Sequence, residues 1–304
     1  MNILLAMIPA FFWGTTYAVT QFTLPEWPPL LLGILRALPA GIILWLIKPS
    51  MPNKQDWRPL FTVGTINIGA FFCLIFLMAH TLPSAISGVG MISVPVFAML
   101  FQWVVFKQRP TIVRALCGAG LIFLAWQLFN PSHLSLNPTG MLAMLCAILC
   151  MITGSTYTQK LGKTLHWWTT LTWQLILGGI VLVPITAIHA FINPSEYLNP
   201  LSHIELTHVG GIVWVCLLNT AFAYGLYVWL LQRMTVVDFT FGGIANPIAG
   251  ISFGFLLLGE TFTSYQYLLM VGMIVMSLAP QCIIQWTKTR KASSLPFKSK
   301  YQNS

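Results

Sequence analysis

The chain has 304 residues, of which 57% are hydrophobic and only 7% charged, with a mean hydropathy of +0.78 and a formal net charge of +9. That leaves far too little polar surface to cover a water-soluble globule of this length. A basic nucleic-acid-binding domain is excluded as well, because the cationic residues are dispersed between apolar segments instead of forming one face.

In chain order, continuous apolar runs fall near 2–21, 28–47, 59–80, 84–106, 111–129, 139–158, 167–191, 207–232, 236–258 and 264–286. Crossing about 30 Å of hydrocarbon takes roughly 20 mostly apolar residues as helix, since every backbone N–H and C=O must be satisfied within the segment. A transmembrane barrel would show alternating segments of about ten residues, whereas these runs are continuous. The expected fold is therefore an all-α integral membrane protein with ten transmembrane helices. The first run has no basic flank or small-residue cleavage pattern, which reads as a retained helix and not a removed signal peptide.

The charges set the orientation. Lys48, Lys54 and Arg58 follow the second run, Lys107, Arg109 and Arg114 the fourth, Lys160 and Lys163 the sixth, Arg233 the eighth, and a basic tail at 288–304, expected to be disordered, the tenth. The alternate loops carry Glu26, Glu196, Glu205 and Glu260 without Lys or Arg. The bias toward cytoplasmic Lys and Arg then places both termini in the cytoplasm, with the tail near anionic lipid. Cysteines 73, 117, 146, 150, 216 and 282 all lie in apolar runs without the paired spacing of a zinc or redox site, so neither metal nor disulfide is expected.

The chain repeats itself. Setting Gly14 on Gly154 also pairs Thr16 with Thr156, Tyr17 with Tyr157, Trp27 with Trp167 and Leu35 with Leu175. After an insertion around INPSEYLNPLSHIE, a second register pairs Asn67 with Asn219, Gly90 with Gly242, Pro95 with Pro247, Thr111 with Thr263 and Gly120 with Gly272. Runs one to five thus match runs six to ten. Because five is odd, the halves cross the membrane in opposite senses, as inverted-topology repeats do. The boundaries are 1–130 for the first repeat and 138–287 for the second. Helical spacing sets Trp13, Thr16 and Tyr17 on one face and Thr153, Thr156 and Tyr157 on its counterpart. These faces line two access routes, or Gly14 and Gly154 simply permit close helix packing; both readings can hold together.

FFWGTTYAV in the first run, PPLLLGILRALPAGIILW in the second, the mid-helix Pro95 and Pro247, and LLLGETFT at Leu256 to Thr263 resemble the drug/metabolite transporter superfamily, in its ten-helix branch with two tandem EamA domains. The resemblance runs from about residue 3 to about residue 286. It implies alternating access around a central cavity and export of amino acids, related metabolites or drug-like compounds across the cytoplasmic (inner) membrane of a bacterium. Where the second half has Gly259-Glu260, the first has Lys107-Gln108, so the acidic residue often found after the fourth helix is absent there.

Several residues are candidates for the site. Arg36 is the one Lys or Arg deep within a run; it meets a substrate carboxylate, or it pairs with carbonyls or Glu26. Asn67 and Asn219 occupy matching mid-helix positions, as helix-to-helix hydrogen bonds or as part of a midplane site. Phe71, Phe72, Tyr224 and Tyr227 offer an aromatic wall, or packing. Pro95 and Pro247, with Asn246 beside the latter, mark expected kinks and hinges. Glu26 and Glu260 are the candidates for ion coupling, since no carboxylate or histidine lies at mid-span.

These features point to a secondary transporter of small organic metabolites without a cofactor, acting as monomer or homodimer in a lipid bilayer. Uptake or exchange by the same fold is the near alternative. An intramembrane enzyme needs convergent nucleophile and base or paired carboxylates, which the runs lack.

Overall fold

The computed structural model describes residues 2–107, 109–128, 136–234, 239 and 241–293. Its helices follow the apolar runs: α1 (Asn2–Thr23), α2 (Pro29–Ile47), α3 (Lys54–Thr81), α4 (Ser84–Phe101), α5 (Ile112–Leu128), α6 (Pro138–Leu161), α7 (Trp167–Ile192), α8 (Leu206–Leu231), α9 (Gly242–Leu258) and α10 (Ser264–Ser293). Six of them are long and apolar enough to cross a membrane, and three of the remainder are shorter apolar helices. No strand is present among the described residues.

Local chemistry explains the boundaries. Pro29 and Pro138 stand in the first turns of α2 and α6, where a missing N–H costs nothing, and Asn137 Oδ1 accepts from Thr139 N at 2.9 Å. Gly259 ends α9 in the left-handed region, φ 65°. Lys107, its counterpart after α4, holds φ 56° without the freedom of glycine. The insertion at INPSEYLNPLSHIE folds as a short helix, Pro194–Ser202, whose Tyr197 hydroxyl lies 3.0 Å from His189 Nδ1. Helix α10 continues to Ser293, into the segment read from sequence as tail.

Two helices are interrupted ahead of their prolines. α4 passes through a 3₁₀ turn at Met91–Ser93 before Pro95, and a 3₁₀ turn at Phe241–Ile244 precedes Pro247. At these two prolines the missing N–H and the ring coincide with a departure from regular α-helix, whereas Pro9, Pro39, Pro184 and Pro280 are carried inside α1, α2, α7 and α10. α3 and α8 instead widen into π-helix, at Gly64–Ala70 and Trp214–Phe222.

Small residues let the helices meet. α2 packs on α7 and α5 on α10. In the second pair the contact is reciprocal: a Cβ on Gly120 would lie 3.2 Å from Met276 Sδ, and one on Gly272 would lie 3.1 Å from Leu124 Cδ1. α1 lies along α9, where a Cβ on Gly14 would strike the Asn246 carbonyl oxygen and come within 2.8 Å of Ala249 Cβ. On α6, a Cβ on Gly154 would run into the Asn67 side chain. Both recurring glycines are therefore packing glycines.

Candidate functional site

Helices α1, α2, α3, α4, α6, α9 and α10 surround a cavity. Six of the sequence candidates line it: Trp13, Thr16, Tyr17, Arg36, Phe71 and Asn246. Met91, Met151, Phe239 and Ser277 complete the wall where it matters for chemistry, and sequence reading missed all four. Nothing distinguishes a cavity methionine from a core methionine in an apolar run, because the two differ only in what lies across from them.

Asn67, Asn219, Tyr224 and Tyr227 stand behind that wall and hold it. Trp13 Nε1 donates to the Asn219 carbonyl at 3.1 Å, and Asn219 Nδ2 donates to Thr16 Oγ1 at 2.6 Å. In the matching position the Tyr224 hydroxyl donates to the Asn67 carbonyl at 3.3 Å, while Asn67 Nδ2 reaches Gln174 Oε1 at 3.3 Å. Both accepting carbonyls lie in the π-helical stretches, where the wider turn upsets the normal backbone pairing. Tyr227 and Ser155 share a hydrogen bond of 2.5 Å. The Trp13 ring centroid is 5.7 Å from that of Tyr224 and 5.0 Å from that of Tyr227, so a packed aromatic cluster backs the cavity.

Arg36 is almost fully buried. Its Nε donates to Thr220 Oγ1 at 2.7 Å and its guanidinium lies over the Phe72 ring, 4.0 Å from the centroid. Among the described residues neither Glu26, which is exposed, nor a backbone carbonyl is its partner, unlike the packing alternative read from sequence. Thr220 was not singled out from the sequence, although a hydroxyl amid an apolar run was the available signal.

The second recurring motif is not brought to the cavity. Thr153 and Thr156 are part-buried, with Thr156 Oγ1 bonded to the Ile152 carbonyl of its own helix at 2.8 Å. Tyr157 is exposed, with Lys160 Nζ 5.6 Å from its ring centroid.

At the opposite end from Lys160, the two halves of the chain are tied together. Glu260 accepts from Ser84 N at 2.6 Å and from Ala85 N at 3.0 Å, so its carboxylate caps the start of α4. Ser84 Oγ adds a bond to the Gly250 carbonyl at 3.2 Å. A Cβ on Gly88 would lie 3.3 Å from Pro247 Cα, so α4 and α9 touch backbone to backbone. A shallow cleft with His80 and Gln21 on its walls lies beside Glu260. The second half of α4 packs only lightly on α6.

An apolar helical bundle around an internal cavity, sealed at one end, is the build of a membrane transport protein. The chain belongs to the EamA-like transporter family, which matches residues 1–130 and 138–279. It is 31% identical over 290 residues to protein PecM of Dickeya dadantii, covering 93% of each chain. Similarity extends to an uncharacterized inner membrane transporter, YedA, of Escherichia coli K12, at 25% identity over 88% of this chain and 85% of that one. A probable amino-acid metabolite efflux pump of Salmonella typhimurium is 24% identical over 89% of this chain and 93% of its own. A solved crystal structure shares the fold with a TM-score of 0.65 at 14% identity, over 96% of this chain and 99% of that one.

Proposed function

We propose that this protein is a secondary carrier that exports small organic metabolites, amino acids, their derivatives or small aromatic compounds, by alternating access through the central cavity. The observation that carries the reading is the cavity wall itself: aromatic rings, the hydroxyls of Thr16 and Ser277, an amide and one cation converge there from both halves of the chain. Such a lining suits an amphiphilic organic solute better than an inorganic ion. The relative named as a probable amino-acid metabolite efflux pump supports the same solute class.

In this reading two inverted five-helix repeats, 1–130 and 138–287, span the cytoplasmic membrane of a bacterium ten times with both termini inside. The reciprocal packing of Gly120 and Gly272 supports a two-fold relation between the repeats, as do the matched π-helical asparagines. The Glu260 seal then faces outward. Glu26, exposed and remote from the cavity, is left as a loop residue, and Glu260 serves the seal.

Reconstitution in liposomes tests this. Counterflow of labelled amino acids and small aromatics is expected to saturate in the native protein and to fall at least about tenfold in Trp13→Ala, given the solute contact and buried bond it loses. Flux indifferent to this change, or non-saturating flux, overturns the site or the carrier reading respectively. Uptake by the same gates differs only in the gradient imposed.

A further inference from the structure

Arg36 is 2% exposed on the wall of the central cavity. Among the described residues its guanidinium makes one hydrogen bond, from Nε to Thr220 Oγ1, which leaves the donors on its two terminal nitrogens without a protein acceptor. The groups electrostatically closest to it are Tyr224, Tyr17 and Cys216, and none is a carboxylate. The acidic side chains are elsewhere: Glu26, Glu196 and Glu205 lie in the end loops and their short helices, Asp56 bonds Asn53 N, and Glu260 bonds Ser84 and Ala85. Asp238 lies outside the described residues.

A cation buried in low dielectric without a counter-charge is strongly unfavourable, and the face of Phe72 offsets only part of that. The same cavity presents the rings of Trp13, Tyr17 and Phe71, and Asn246, whose Oδ1 is buried without a hydrogen-bond partner. We infer that the solute of this carrier is an aromatic carboxylate whose charge neutralises Arg36. The carboxylate meets the terminal nitrogens of the guanidinium in forked geometry, the ring lies against the aromatic wall, and a hydroxyl or amino donor on the solute answers Asn246.

A kinetic consequence follows from the same electrostatics. Closing the empty cavity strips water from a cation that has no carboxylate beside it among the described residues, whereas closing it over the bound anion leaves a compensated pair. The loaded carrier therefore reorients faster than the empty one, and exchange outruns net flux.

The inference rests on the carrier reading above, and the experiment separates the two. The full chain is reconstituted and offered labelled 3-phenyllactate or its uncharged amide, 3-phenyllactamide, with protein-free vesicles setting the leak. Preference for the anion of about tenfold or more is expected, together with a similar acceleration when vesicles are preloaded with unlabelled phenyllactate. Arg36→Gln abolishes both the preference and the acceleration. Arg36→Lys keeps the charge but loses the fork, so it retains a weakened preference, and it carries the test if the glutamine variant fails to fold. Equal movement of acid and amide, with no effect of preloading, overturns this inference and leaves the carrier intact. If neither probe moves saturably, the aromatic-carrier reading falls and this inference falls with it.

Discussion

At Gly14 and Gly154 the absence of one carbon decides how closely two helices approach. Gly14 faces the backbone carbonyl of Asn246, and Gly154 faces the buried Asn67 side chain as far in as its Cβ, 2.5 Å away, so neither obstacle can simply swing aside. Alanine at either position is overpacking, with an expected cost of about 1–3 kcal/mol. Thermal unfolding in detergent should show a lowered midpoint for both Gly14→Ala and Gly154→Ala, and a native-like midpoint in either contradicts the account. Lys107 presents the opposite case. Its φ of 56° strains an ordinary residue where the second half places Gly259 at φ 65°. Lys107→Gly relieves that strain but makes the unfolded chain more flexible, leaving a net gain of roughly 0.5 kcal/mol. A raised unfolding temperature in Lys107→Gly is the expected result, and a lowered one contradicts the account.

Among the elements, α3 and α8 do something a regular helix cannot. Their π-helical stretches bring the Asn67 and Asn219 carbonyls into range of Tyr224 and Trp13, rings that belong to the opposite half of the chain. Trp13→Phe keeps an aromatic ring but leaves the Asn219 carbonyl without its indole donor. The expected penalty is about 1–3 kcal/mol for the unsatisfied buried group, read as a lowered unfolding temperature. Should Trp13→Phe unfold like the native protein, the indole bond is not what holds the wall. The interrupted α4 and α9 complement this arrangement, since each is broken ahead of its proline and each contributes to the cavity at or beside the break, through Met91 and Asn246.

On the scale of the whole molecule, the asymmetry between the two ends defines a state. The end with Glu260 is closed by two charge-assisted hydrogen bonds and by backbone contact of α4 with α9, while α4 and α6 are only lightly packed toward the other. Removing the carboxylate should loosen this end. Ser87, fully buried on α4 beside this seal, reports on it when replaced by cysteine. An impermeant maleimide should label Ser87→Cys about tenfold or more faster in the Glu260→Ala background, since bonds to a charged group contribute roughly 1.5–3 kcal/mol each. Unchanged labelling would mean that helix packing alone closes this end.

The apolar runs, their order, the placement of the basic loops and the recurrence of GTTY as GSTY are all legible along the chain, because hydropathy and spacing are local properties that survive without a structure. Trp13, Thr16, Tyr17, Arg36, Phe71 and Asn246, which line the cavity, are legible as candidates because an aromatic, hydroxylated, amide or charged side chain in a lipid-length run already calls for a partner or a solute. Other features were decided only in three dimensions. The tertiary structure put Asn67, Asn219, Tyr224 and Tyr227 behind the wall, left Tyr157 exposed despite its match to buried Tyr17, and gave Arg36 a threonine and a phenylalanine as neighbours but, among the described residues, no carboxylate. A repeated sequence specifies similar helices, but the partners that pack against each copy come from different parts of the chain, so matched residues meet different surroundings.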